Sequence, residues 1–305
     1  MGCGNECDSF LPRGYSSGIV CHKPSLDKWC PQAVGLVSIA LTTRADKPLD
    51  QQLNDTLTIL SASNNSQLQK CFSGPDLGMQ KFNICKYFTV EKQPVCDLQS
   101  LAGAIGDLEH TATKTVIRGA LINPQTGSVA RSKDNFVAAS RRWCMIDIDS
   151  LAWGGDIQDQ QAMLEYATSQ LPVEFQKADC WYHFSSSMAI KSGISVHLWY
   201  WLERPCSDDE MKTWLSGCPV DMRMFNPIQI HLTANPQFLD GASDPYPNRS
   251  GMFEAGHGVI SVPVPDNLES RTASLAAMTK PRSRSKSGSL DPVEVVRDPE
   301  TGLAI

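Results

Sequence analysis

No stretch of the chain approaches the roughly 18 consecutive apolar residues that a membrane-spanning helix needs. The opening residues, MGCGNECDSF, lack the charged-then-apolar order of a secretory signal. A cytoplasmic protein is therefore expected. Basic residues are in the minority, 27 Lys and Arg against 33 Asp and Glu, for a net charge of −6. Proteins that coat nucleic acid without selectivity normally carry a large positive excess, so that class is disfavoured. An enzyme acting on nucleic acid stays open, because acidic metal ligands offset a basic groove in the total. Paired CxxC knuckles are missing as well. The 11 cysteines are odd in number and irregularly spaced, which reads as reduced thiols rather than a disulfide framework. Cys3, Cys7, Cys21, His22 and Cys30 crowd the start, but as one CxxxC, a CH and a distant Cys, so no structural zinc is expected.

What is present suffices for a core: 305 residues, 41% hydrophobic and 20% charged. Residues 1–30 read as a Cys-rich leader, 31–262 as the main domain, and 263–305 as a basic, Ser-rich linker or tail. Within the main domain an apolar, strand-like run at 33–41 precedes a polar Gln/Asn/Ser-rich stretch at 51–69, and LQSLAGAIGDL (98–108) has helical spacing. From residue 115 short β-branched and aromatic runs alternate with helical patterns: TVIRGALI, RWCMIDID, DCWYHFSS, SVHLWYWL and IQIHLT. DIQDQQAMLEYATSQL lies between the second and third runs. SDDEMKTWLSGC, with Ser207 and Glu210 at capping-box spacing, lies between the fourth and fifth. Residues 142–233 thus read β-α-β-β-α-β, a ferredoxin-like (RRM-like) unit in a protein of α+β class.

Three elements of that unit carry chemistry. In MIDIDS, strand alternation sends Asp147 and Asp149 to one face and Ile146 and Ile148 to the other. Two carboxylates about 7 Å apart in apolar surroundings repel, and a divalent cation resolves the conflict. In SGISVHLWYWL, Ser195 and His197 share a face, after a hydroxyl-rich loop that contains Lys191 and Gly193. Hydroxyls, an ammonium, an imidazole and backbone N–H groups are the donors a triphosphate uses. In VDMRMFNPIQIHLTANP, Asp221 precedes a predicted strand on which Gln229 and His231 share a face.

The DxD, the SxH and the downstream Asp, in that order and on strands of one sheet, resemble the archaeo-eukaryotic primase (AEP) superfamily. More narrowly, they resemble the primase-polymerase branch of phages, plasmids and prophages. The resemblance covers residues 115–255 well and the N-terminal third weakly. It implies a two-part core, an N-terminal α/β module packed on an RRM-like catalytic sheet with the site between them. It also implies a template-directed nucleotidyltransferase: a DNA primase, combined with DNA polymerase activity, in the replication of a mobile element. Asp147, Asp149 and Asp221 would hold two Mg²⁺ or Mn²⁺ ions. Ser195, His197 and Lys191, with Gln229 and His231 where relatives often carry arginines, would contact the nucleotide. Arg118 and Arg249 would be lesser phosphate or template contacts. The implied partners are a single-stranded DNA template, NTP or dNTP, and a helicase domain or protein after the linker, with no membrane. Trp181, Trp199, Trp201 and Trp214 lie in continuous apolar runs and are expected to pack rather than stack on bases.

Two other classes compete. A non-catalytic RRM-like module that binds single strands would display aromatics on its open sheet face, where this chain has Asp147, Asp149 and His197. A rolling-circle endonuclease would need a His-x-His pair and a tyrosine nucleophile, and SVHLW holds a single histidine.

Overall fold

The structure, a computed structural model, describes residues 54–64, 66–80, 85–123 and 127–279. All of them belong to one compact unit, Lys47–Ile305. The expectations for the leader, the strand at 33–41 and the end of the tail lie outside the described residues.

The first module is an antiparallel sheet with one helix. Strand β1 (Asp55–Ala62) lies within the stretch that reads as merely polar. Leu57, Ile59 and Leu60 are fully buried there, a segment whose hydrophobicity tertiary contacts use on both faces. Strands β2 (Cys71–Ser73) and β3 (Gly78–Met79) form a small flap, and β4 (Tyr87–Val95) pairs along the whole of β1. Helix α1 (Leu98–Glu109) begins where its spacing predicts, fixed by a capping box between Asp97 and Ser100. Strand β5 (Lys114–Ile117) completes the β1 edge, β6 (Ala120–Leu121) pairs with β8 (Phe136–Val137), and β7 (Val129–Ala130) extends β4. TVIRGALI is therefore two strands broken at Arg118-Gly119. A Cβ on Gly119 would sit 2.4 Å from the Pro227 carbonyl, so only glycine allows that close crossing.

The second module carries the predicted strands β9 (Arg141–Leu151), β10 (Cys180–Phe184) and β11 (Ile194–Cys206), with helices α2 (Gln160–Ser169), α3 (Val173–Gln176) and α4 (Asp208–Trp214). Ser207 and Glu210 form the expected capping box. The fourth strand departs from expectation. IQIHLT is not a strand of this sheet and makes only an isolated bridge from His231 to Val116. After β12 (Gln237–Leu239), which joins β2 in the first module, β13 (Ser250–Phe253) pairs with β10, giving the order β13-β10-β11-β9. Within the segment expected as linker or tail, α5 (Leu268–Thr279) is helical and anchored by fully buried Leu268.

This sheet has two different faces. Ile146, Ile148, Val196 and Leu198 pack against α2, α3 and α4 through Met163, Phe175 and Met211. On the other face Trp143, Met145, Trp199 and Trp201 meet Leu57, Ile59 and the α1 leucines. The tryptophans thus fill the junction between modules, and that face stays open only beyond Met145 and Trp199. Among the described residues no helix is long and apolar enough to cross a membrane.

Candidate functional site

Strand register sets the open end of the face. Antiparallel pairing places His183 of β10 opposite His197 of β11, and His197 opposite Asp147 of β9, a row of three polar side chains across three strands. The His197 Nε2 lies 3.6 Å from Asp147 Oδ1. Next along the strands a bulge in β9 sets Asp149 and Ser150 together opposite Ser195 of β11. The Ser195 hydroxyl donates to Asp149 Oδ1 at 2.9 Å and accepts the Ser150 N–H at 3.0 Å. Two backbone positions make that geometry possible. Ser150 sits at φ +56, a left-handed conformation that a non-glycine residue adopts only under constraint. Gly193 sits at φ +84, where a Cβ would lie 2.5 Å from the Leu151 carbonyl.

Asp221 lies at the same place. Its backbone N–H donates to the Asp147 carbonyl at 2.9 Å, and its side chain caps the 3₁₀ turn Met222–Met224. Its carboxylate is gripped by the Arg223 guanidinium, with Nε 3.0 Å from both oxygens and Nη2 2.7 Å from Oδ2. Opposite, Ile228, Ile230 and Leu232 pack on the first module, and Gln229, Ile230, His231 and Leu232 all border the cleft, so the predicted alternation does not separate two faces here. His231 is fully buried against the rings of Trp143 and Trp199, and neither ring nitrogen has a partner among the described residues.

The charges in this cleft are held out of balance. The Asp147 carboxyl is pushed up to about 7, by burial first and then by the carboxylates of Asp149 and Asp221. Asp221 is held below its ordinary value by its hydrogen bonds to Arg223. Burial lowers His197 to about 4 and His231 to about 3, so both imidazoles are neutral at pH 7. An ion between Asp147 and Asp149 would relieve the repulsion that raises the Asp147 carboxyl, and Asp221 could join it only if the Arg223 guanidinium left its carboxylate. Among the described residues no group of three or more His, Cys, Asp or Glu side chains is spaced to hold a metal as it stands.

Other expected site residues take these places. Ser195 is buried, and its hydroxyl donates to the Asp149 carboxylate while accepting the Ser150 N–H. Arg118 does not reach the cleft. It is fully buried, paired with Asp208 at 2.7 Å and bonded to the carbonyls of Trp143 and Cys206. Arg249 is likewise structural: it pairs with Asp244 and donates to the Ser185 carbonyl at 2.9 Å, bracing the loop ahead of β11. Lys191 is exposed on that loop. Sequence reading missed His183, which hydrogen-bonds Asn235 at 3.0 Å, and Lys70, which lines the cleft from the first module. Pairing DCWYHFSS against SVHLWYWL as neighbouring strands would have put His183 beside His197. Lys70 carries no such signal.

Fold and site together define a mixed α+β protein of several antiparallel sheets with an acidic, imidazole-lined cleft between two modules. The sequence matches no protein family and no curated protein. Among solved structures it is similar to the AEP domain of the cyanophage S-2L primase-polymerase (PrimPol). Identity is 12%, the match covers 57% of this chain and 76% of that one, and the TM-score is 0.28. Likeness of that degree assigns no role to any residue.

Proposed function

We propose that this protein is a template-directed nucleotidyltransferase, a DNA primase with polymerase activity, working at the cleft lined by Asp147 and His197, with Asp149 two residues along the same strand. The observation that carries the reading is the meeting of two acidic residues of β9 with a third, Asp221, from the turn after α4, at one end of an open sheet face. Asp221 is hydrogen-bonded to the backbone of Asp147, and Asp149 is oriented by Ser195. Asp147 and Asp149 would hold divalent cations, Mg²⁺ or Mn²⁺, with Asp221 joining them. Bound there, such ions lower the pKa of an attacking hydroxyl and neutralise the charge on a leaving pyrophosphate. The chain's own part is to fix the carboxylates in place and to present the neutral imidazoles of His197 and His231 as hydrogen-bonding groups beside them.

The motif order supports this reading over a binding module. No aromatic pair occupies the open part of the face, where His183, His197 and Asp147 stand in a row. The test is incorporation of labelled ribo- and deoxynucleotides on primed and unprimed single strands, with Mg²⁺ and with Mn²⁺. Wild type is expected to incorporate in at least one arm, and Asp147→Ala and Asp149→Ala in none, with both variants folded by circular dichroism. No incorporation by wild type in any arm would replace the enzyme reading with that of a single-strand-binding module.

A further inference from the structure

Lys70 belongs to the first module yet points its charge at the acidic residues of the second. It lines the cleft together with Asp147, His197, Ser185 and Ser186. Its backbone is fixed, because its carbonyl accepts the Gln237 N–H at 2.9 Å where β12 joins β2. Among the described residues its ammonium makes no hydrogen bond and no ion pair within 4.0 Å. A half-buried ammonium without a close counter-ion is costly unless an anion visits it.

The surroundings indicate which anion. Burial first, and then the charge of Lys191, hold the Lys70 pKa below its ordinary value, while Asp149 and Asp147 act in the opposite sense. The ammonium groups of Lys70 and the exposed Lys191 therefore repel each other. Once a divalent cation neutralises Asp147 and Asp149, that repulsion is left unanswered. Ser185 and Ser186 line the same cleft as Lys70, on a loop held by Arg249 through the Ser185 carbonyl. The cavity is small, ≈ 240 Å³. That is below the about 300–1,000 Å³ of a site that encloses a whole drug-sized ligand. It suits a chain of phosphate groups, with sugar and base left in the open part of the cleft.

We infer that Lys70 is a binding residue for the oligophosphate tail of the nucleotide, closing from the first module, with Ser185 and Ser186, a seat that the second module leaves incomplete. The inference rests on the nucleotidyl-transfer reading for the identity of the nucleotide, but the seat itself is tested without catalysis.

The experiment is calorimetric titration of the full chain, in Mg²⁺, with inorganic tripolyphosphate and with orthophosphate. The proteins are wild type, Lys70→Gln, Lys70→Arg and, as a control, the exposed Lys133→Ala. Wild type is expected to bind tripolyphosphate and to bind orthophosphate much more weakly. Lys70→Gln should weaken tripolyphosphate binding about ten-fold, Lys70→Arg should restore most of it, and Lys133→Ala should leave it unchanged. In steady state Lys70→Gln should raise the KM for nucleotide and leave kcat nearly constant, a split that general loosening of the fold would not produce. Equal tripolyphosphate binding by wild type and Lys70→Gln, or none by wild type, overturns the inference. If that result comes with normal nucleotide incorporation, the enzyme reading survives alone. Lys70-dependent binding without incorporation in any arm keeps the anion seat and removes the polymerase.

Discussion

The backbone N–H of Asp221 donates to the backbone carbonyl of Asp147, so two acidic residues far apart in sequence are fastened at one point before any ligand arrives. Their side chains are nevertheless in different states. Asp147 is short of positive charge and Asp221 is supplied with it by Arg223. Arg223 is 83% exposed at its side chain, so the contact is one that water competes for and the guanidinium can leave.

Removing that guanidinium should therefore free a ligand. Arg223→Ala is expected to tighten Mn²⁺ binding by about two- to five-fold, read from metal-dependent thermal shifts. Weaker Mn²⁺ binding in the variant would mean that Arg223 supports the metal site instead of competing with it.

Ser195 offers a sharper distinction. As a residue that orients Asp149, its loss in Ser195→Ala should lower metal affinity about 10- to 100-fold while the KM for nucleotide at saturating metal barely moves. A rise in that KM with unchanged metal affinity would return Ser195 to the phosphate-contact role its sequence position suggested.

Acid should unfold the protein through its buried imidazoles. Burial holds His183, His197 and His231 below their ordinary value, so the unfolded chain takes up protons that the folded one refuses. The stability they contribute is complete above about pH 6.5 and is lost as the pH falls from there toward their folded values. Asp147, raised to about 7, acts oppositely: its contribution is full below about pH 4 and is lost as the pH rises toward 7. Three imidazoles outweigh one carboxyl, so the melting temperature should climb between pH 4 and pH 6.5. His183→Gln should flatten that climb by about one proton, measured as the slope of unfolding free energy against pH.

Arg118 should matter to folding and not to template. Arg118→Leu leaves Asp208 buried without its partner and should cost about 3–5 kcal/mol in chemical denaturation. Adding Asp208→Leu should recover much of that loss. A drop in single-strand affinity without a drop in stability would restore the template-contact role.

Much of this was legible in the sequence, for reasons specific to each element. Asp147 and Asp149 could be placed on one face because β9 is long and its alternation is strict. Helix α1 announced itself through apolar spacing, and α4 through its capping box. Strand β1 was hidden because Thr and Ser alternate through DTLTILSA, and only the packed structure shows both faces in use. IQIHLT has the right alternation but no edge of the sheet to join, since β13 occupies β10 and the segment instead lies along the first module. The partners of Ser195 could not be read from residue types, because they depend on a bulge in β9 that brings Asp149 and Ser150 against its hydroxyl. Lys70 could not be found at all, because its role depends on which module its strand faces.

Between Gly119 and β2 the chain after α4 is stitched to the first module at Pro227, His231, Asn235 and Gln237, each through the main chain. A cleft whose lip is sewn to the opposite wall in this way cannot open like a jaw. Its width is settled when the protein folds, and selectivity among ligands falls to a fixed aperture and to the side chains that rim it.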